Sequence, residues 1–353
     1  MNISEIHQQP RVFAANRRDE ELEDLALQIF NKINHCPVDK IETVAVGYDF
    51  DTFKIRNGTN TLCFKYSMDT SAPFFAREAA ILKQLAPFCP TLEKQGNIVF
   101  GEKMQYIITS FEHAESMAEF GVGSLFEYSD SFFYSFDNMT KVKSDRLFSD
   151  YLENFFDNYK IENIPEHSRE SIGELSDLNR FSDILNILKS EIEHLHNKQR
   201  AINSPSQFCH GNLKPSNILV RGGLFKFIDF CDGFYGDRFF DWSYFLTYIG
   251  LTLEQQKQLV ESYFSAKSET FDTNCSTEYN LSYNLTLRLN IYRAIFHYLV
   301  EAYVYSNSRP QKLMENISFF IRNEFALANI PTLQKHKSFL YENVTNPILE
   351  SQN

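Results

Sequence analysis

Between Lys40 and Phe111 the apolar residues fall into short period-two runs, interrupted once by a helical stretch, and few folds accept that order. The stretch KIETVAVGYDFDTFKIRNGTNTLCFKYSMD predicts three antiparallel strands, about 41–47, 51–56 and 61–66, with turns at Gly47 and at Asn57-Gly58. APFFAREAAILKQLA predicts a helix over about 72–86 that ends near Pro87. GNIVFG and MQYIITSF read as two further strands. Ahead of them, DEELEDLALQIFNKIN (19–34) places Leu22, Leu25, Ile29 and Ile33 on one helical face after an acidic first turn. The expected product is a small antiparallel sheet crossed by one helix.

After His113 the strand signal fades. Residues 117–160 are aromatic and acidic and read as helices with loops between them. Residues 181–198 carry Phe181, Ile184, Leu185, Leu188, Ile192 and Leu195 on one face, and 254–266, 281–306 and 311–328 also read as helices. The fold class is therefore α+β. Residues 1–111 form an N-terminal helix and sheet lobe, and residues 112–353 a larger, mainly helical lobe.

Composition removes several classes of function. A net charge of −12 disfavours nucleic acid as a partner, because phosphate neutralisation needs a basic surface. No apolar run is long enough to span a bilayer, and the polar start lacks an apolar signal region, so a cytoplasmic protein without a membrane partner is expected. The six cysteines form no CxxC pair, which points to reduced thiols and away from a zinc site. The 34 Phe and 18 Tyr are expected to fill cores by ring packing. From Glu112 to Glu166 there are 12 acidic residues against 4 basic ones, read either as a solvated face or as a field that attracts a cationic small molecule.

The chemistry concentrates in FCHGNLKPSNILV (208–220) and in LFKFIDF, which ends near Asp229. Asp229 closes an apolar strand where a loop would open, a place suited to presenting a carboxylate to a hard cation. Lys65 lies in the apolar strand LCFKYS, where an ammonium is costly unless it is paired or bound to phosphate. Glu78, one crossing helix later, is a candidate partner for it.

HGNLKPSNILV, then LFKFIDF, then YGDRFFDWSYF resemble the aminoglycoside phosphotransferase and choline kinase group, small-molecule kinases with a protein-kinase-like fold. The likeness is densest from Phe208 to Tyr244 and extends more weakly back to Gly47. It implies a two-lobed fold that uses ATP and Mg2+ to phosphorylate a hydroxyl of a small molecule, and the acidic 112–166 segment motivates an amine-bearing acceptor. Asn217 and Asp229 would hold the metal, while Lys65, paired with Glu78, would grip the α- and β-phosphates. The turn at Gly47 would cover the nucleotide, and backbone groups of Ser110, Phe111 and Glu112 would meet adenine. His210 would steady the loop, Lys214 would face the transferred phosphate, and Asp241 would anchor the loop from the next helix. Alternatively, Asp241 reads as a helix N-cap.

One position departs from the group. Asn212 stands where a carboxylate would orient the acceptor hydroxyl and take its proton, and an amide is no useful base near neutral pH. Three explanations follow: a slower enzyme, a base supplied from elsewhere with Asp232 nearest in sequence, or a nucleotide-binding pseudokinase with a regulatory or scaffolding role. The acceptor, the choice between ATP and GTP and the oligomeric state stay open at this level.

Overall fold

The computed structural model describes residues 19–35, 37–46, 50–68, 70, 73–120, 125, 127–163, 175–202, 205–249, 251–304 and 330–340. Two compact units form: Met1–Arg146 with Phe208–Tyr235, and Leu147–Gln207 with Gly236–Asn353.

In the first unit, α1 (Asp19–Asn34) precedes strands β1 (Lys40–Val46), β2 (Asp51–Asn57) and β3 (Asn60–Ser67). Helix α2 (Phe74–Leu85) then leads to β4 (Leu92–Phe100) and β5 (Glu102–Ser110). The five strands form one antiparallel sheet in the order β1-β2-β3-β5-β4. Period-two alternation decides what each face carries. Phe53, Ile55, Phe64, Tyr66, Met104, Tyr106 and Ile108 form one core with Leu22, Ala26, Ile29 and Phe30 of α1. On β3, Phe64 and Tyr66 point to that core, so Lys65 between them points to the other face, where α2 packs. Gln105, opposite Ser67, confirms the side by accepting from Phe75 N at the start of α2 (3.3 Å). The expected strand for GNIVFG starts earlier, at Leu92, because Glu93 to Gln95 are exposed edge residues that give no apolar signal.

Past β5 come the two-residue β6 (Glu115–Ser116), the short α3 (Met117–Phe120) and α4 (Ser129–Thr140). The chain returns to this unit within β7 (Ser206–Cys209) and makes a 3-10 turn at Pro215–Asn217. The hairpin β8 (Ile218–Arg221) and β9 (Leu224–Phe227) follows, then a second 3-10 turn at Phe230–Asp232 and β10 (Phe234–Asp237). Gly222 and Gly223 close the hairpin with φ of 57° and 76°, the paired left-handed conformation of a two-residue turn that glycine supplies without strain. Phe225 and Phe227 of β9 meet Phe132 of α4 edge to face, and Phe227 N donates to Phe88 O just past α2 (2.9 Å). The lobe boundary read at residue 111 follows element type. Compactness instead divides the chain at Arg146 and joins 208–235 to the sheet unit, because these contacts tie that segment to α2 and α4.

The second unit comprises α5 (Phe148–Asn158), α6 (Leu175–Ile202), α7 (Phe240–Tyr248), α8 (Leu253–Ala266), α9 (Thr273–Val304), a 3-10 turn (Pro331–His336) and α10 (Lys337–Leu340). Its interior is ring packing, with Phe148, Tyr151, Phe240 and Tyr244 in successive contact. Arg293 lies against the rings of Phe155 and Tyr159 and donates to Tyr244 Oη at 2.6 Å. Thr252 starts α8 with a reciprocal capping box to Gln255. The helix expected over 311–328 lies outside the described residues. No helix among the described residues is long and apolar enough to cross a membrane.

Candidate active site

The first unit gathers three charged groups that the chain separates by up to 164 residues. Lys65 Nζ lies 3.1 Å from Glu78 Oε1 and 3.4 Å from Oε2, and 3.2 Å from Asp229 Oδ1. It also rests over the Phe50 ring, 4.8 Å from the centroid. Burial works against the ammonium, but the Glu78 and Asp229 carboxylates outweigh it and hold Lys65 charged, well above its ordinary range. Burial likewise works against the Asp229 carboxylate. The Lys65 ammonium, with Lys214 behind it, outweighs it and keeps Asp229 ionised, below its ordinary range. Asp229 adopts a left-handed backbone, φ 70° and ψ 59°, just after the β9 hairpin strand. Few residues other than glycine accept that conformation, and Asp and Asn are among them.

Beside it, the loop from His210 to Asn217 is tied by its own backbone. His210 is fully buried, and its Nε2–H donates to Ile228 O at 2.8 Å, next to Asp229. A carbonyl can only accept, so Nδ1 is the unprotonated nitrogen, and it accepts from Asn212 N at 3.3 Å. Burial keeps this ring neutral by lowering its pKa. Asn212 O accepts from Lys214 N and from Asn217 Nδ2, both at 2.9 Å. With Nδ2 committed in this way, the amide oxygen of Asn217 is the atom left to face a cation. Asn217 O accepts from Ile228 N at 3.1 Å, which closes the loop onto the segment between β9 and Asp229.

Gly211 completes the loop at φ 79°. A Cβ there would stand 2.5 Å from Asp232 O and 3.2 Å from Asp232 Cβ. Gly211→Ala therefore combines a backbone conformation unfavourable to alanine with a collision against main chain. It should lower stability by about 2–4 kcal/mol, read as a drop in the denaturation midpoint at unchanged denaturant slope. A midpoint equal to the parent's would mean that the loop is not packed on residue 232.

Ser110, Phe111 and Glu112 follow β5. Ser110 N donates to Thr91 O (2.8 Å) and Phe111 N to Thr61 O (3.0 Å), so among the described residues these two amides serve the sheet. The Ser110 hydroxyl accepts from Thr91 N and donates to Glu112 Oε1, which also pairs with Lys226 at 2.9 Å. A cavity of about 500 Å³ lies along this segment, between Phe111–Glu115 and Val220–Gly222. The Lys65 cluster takes no part in its walls. Asp241 is fully buried in the second unit, inside the first turn of α7. The position before that helix is Phe239, whose N–H is accepted by Asp237 Oδ1, so Asp241 is not the N-cap residue. Gly47 lies outside the described residues.

Of the acidic residues between 112 and 166, Glu112 pairs with the distant Lys226, while Asp137 and Asp157 pair with Lys141 and Lys160 close by in the chain. Sequence reasoning did not single out Cys231 and Arg77. The Cys231 thiol donates to Glu78 Oε2 (3.3 Å), and its carbonyl accepts from Arg77 Nη1 (3.0 Å). Its place two residues after Asp229 was the available signal for Cys231, while nothing in the sequence marks Arg77.

The donor set of Asn217 and Asp229, an amide oxygen and an ionised carboxylate, fits a hard divalent cation. Glu78, Asp229 and Cys231 also bring three donor atoms within 4.8 Å of one another, but Lys65 already bridges the two carboxylates there.

No curated protein matches the sequence. A spectinomycin phosphotransferase, APH(9)-Ia, solved with ADP and spectinomycin, aligns over 87% of this chain and 94% of its own at 11% identity, TM-score 0.53. An amicoumacin kinase solved with AMP-PNP and Ca2+ aligns over 85% of this chain and 94% of its own at 12% identity, TM-score 0.55. An ethanolamine kinase of Plasmodium vivax aligns over 86% and 84% at 12% identity, TM-score 0.55. At such identities the likeness is one of fold. Residues 157–274, including the whole stretch from His210 to Asp241, match the model of the phosphotransferase enzyme family, and the chain has the α+β, protein-kinase-like fold of the small-molecule kinases.

Proposed function

We propose that this protein transfers the γ-phosphoryl group of ATP to a hydroxyl of a small, amine-bearing molecule, with Mg2+ held by Asn217 and Asp229. The observation that carries the reading is the Lys65 bridge between Glu78 and Asp229. Phosphoryl transfer asks little covalent chemistry of a protein and much charge placement. A cation buried beside an ionised carboxylate, with an amide oxygen tied in the adjoining loop, is such a placement. Bound Mg2+ would neutralise charge developing on the phosphate oxygens. Lys65, released from Asp229 but kept by Glu78, would hold the α- and β-phosphates, and Lys214 would face the γ-phosphate. The Glu112 N–H and the Ser110 carbonyl would meet adenine, since the Ser110 and Phe111 amides already serve the sheet. The amine-bearing acceptor rests on the ethanolamine, spectinomycin and amicoumacin kinases that share the fold.

Asn212 favours a second reading, a nucleotide-binding protein that regulates without transfer. The two readings separate in one experiment. Mg-ATP at a hundredfold its Kd should stabilise the protein by about 2.7 kcal/mol, seen as a rise in melting temperature. Radiolabelled phosphate should then appear on at least one member of a panel of amino alcohols and aminoglycosides. Stabilisation without transfer selects the second reading. Neither effect would remove both.

A further inference from the structure

We propose that Cys231 is a positioning residue for the phosphate-gripping lysine: its thiol donates to Glu78 Oε2 and thereby fixes which carboxylate oxygen Lys65 holds. This rests on the phosphotransferase reading above. Glu78 is buried in α2, 4% exposed at its side chain, and its lone pairs need partners inside the protein. Lys65 stands closer to Oε1 (3.1 Å) than to Oε2 (3.4 Å), and Oε2 is the oxygen that takes the thiol at 3.3 Å. The two donors therefore divide the carboxylate between them. Without the thiol, the carboxylate could rotate and share Lys65 differently, or Lys65 could settle on Asp229, the residue assigned to the metal.

The main chain reinforces the link. Cys231 O accepts from Arg77 Nη1, so adjacent residues of α2 reach residue 231, one by its side chain and one through the backbone. The turn that carries Asp229 and the helix that carries Glu78 are thus linked at two points beside Lys65. A carboxylate oxygen can only accept, so in this contact Cys231 serves as the donor.

The test uses Cys231→Ala and Cys231→Ser, with Glu78→Ala as partner in a double-mutant cycle. Cys231→Ala should weaken Mg-ATP binding about three- to tenfold, the effect of one hydrogen bond to a charged group, with the melting temperature little changed. Cys231→Ser, which keeps a donor, should recover most of the affinity. In the cycle, Cys231→Ala should add nothing once Glu78 is Ala. Equal affinity in Cys231→Ala and parent, or additive losses in the cycle, would overturn the proposal. A readout free of nucleotide separates it from the reading it rests on. The infrared S–H band lost in Cys231→Ala should lie at the lower frequency of a bonded thiol in the parent and return to the free-thiol position in Glu78→Ala. A free-thiol position in the parent refutes the positioning role whether or not ATP binds. A bonded band in a protein that binds no Mg-ATP would leave the thiol contact intact and remove its proposed use.

Discussion

Asp229→Asn should leave the fold intact and lower phosphate transfer by about 10³-fold. Asparagine is the substitution that isolates the charge. Position 229 has a left-handed backbone, which asparagine tolerates better than alanine does. The amide keeps the size of the carboxylate and can still accept a hydrogen bond from Lys65. What it cannot do is carry the negative charge that a hard divalent cation seeks. Lys65 retains Glu78 as its remaining carboxylate, so the buried ammonium is not stranded and stability should change little. The loss should fall on kcat, because the charge matters most where negative charge develops in the transition state. The thermal response to Mg-ATP should shrink as well, since metal and nucleotide bind together. Full transfer by Asp229→Asn, measured at saturating Mg-ATP, would place the metal elsewhere and dismantle the site described above.

The sheet was legible because its two faces differ. Phe64 and Tyr66 alternate with Lys65, and period two exposes that contrast directly. The helix 19–34 was equally plain, since its apolar residues share one face and its partner is a complete sheet. Helices buried on several sides gave poorer boundaries. The helix read over 281–306 begins at Thr273, because polar residues such as Asn274 and Thr277 start it without an apolar stripe. The pair β6 and β8 was hidden for another reason, as two residues are too few for any periodicity. Within the site, residue type and setting pointed to Lys65, Glu78 and Asp229, while Asn217 came only from the likeness to known kinases. The meeting of Lys65, Glu78 and Asp229 depends on contacts across 13 to 164 residues, which no local pattern encodes and which only that likeness brought forward. The Cys231 bond to Glu78 had no such guide, and neither did the role of Gly211, whose need for a bare Cα comes from the main chain of Asp232.

Asn212→Asp should raise the rate of transfer by about 10²–10⁴-fold, the usual worth of a placed general base. The substitution leaves in place the bonds that the backbone of residue 212 makes. Its N–H reaches His210 Nδ1, and its carbonyl takes Lys214 N and Asn217 Nδ2. An aspartate keeps all three. The size of the gain distinguishes the explanations for the amide. A parent with measurable transfer and a gain in this range is an enzyme held below its capacity. A parent with none and a variant with turnover is a nucleotide-binding protein one atom removed from catalysis. If the parent transfers well and the variant gains nothing, a base is already present, and Asp232 is the carboxylate to substitute next. Its Cβ lies 3.2 Å from where a side chain on Gly211 would begin, next to the loop that would hold the acceptor. In that case Asp232→Asn, and not the change at 212, would carry the loss.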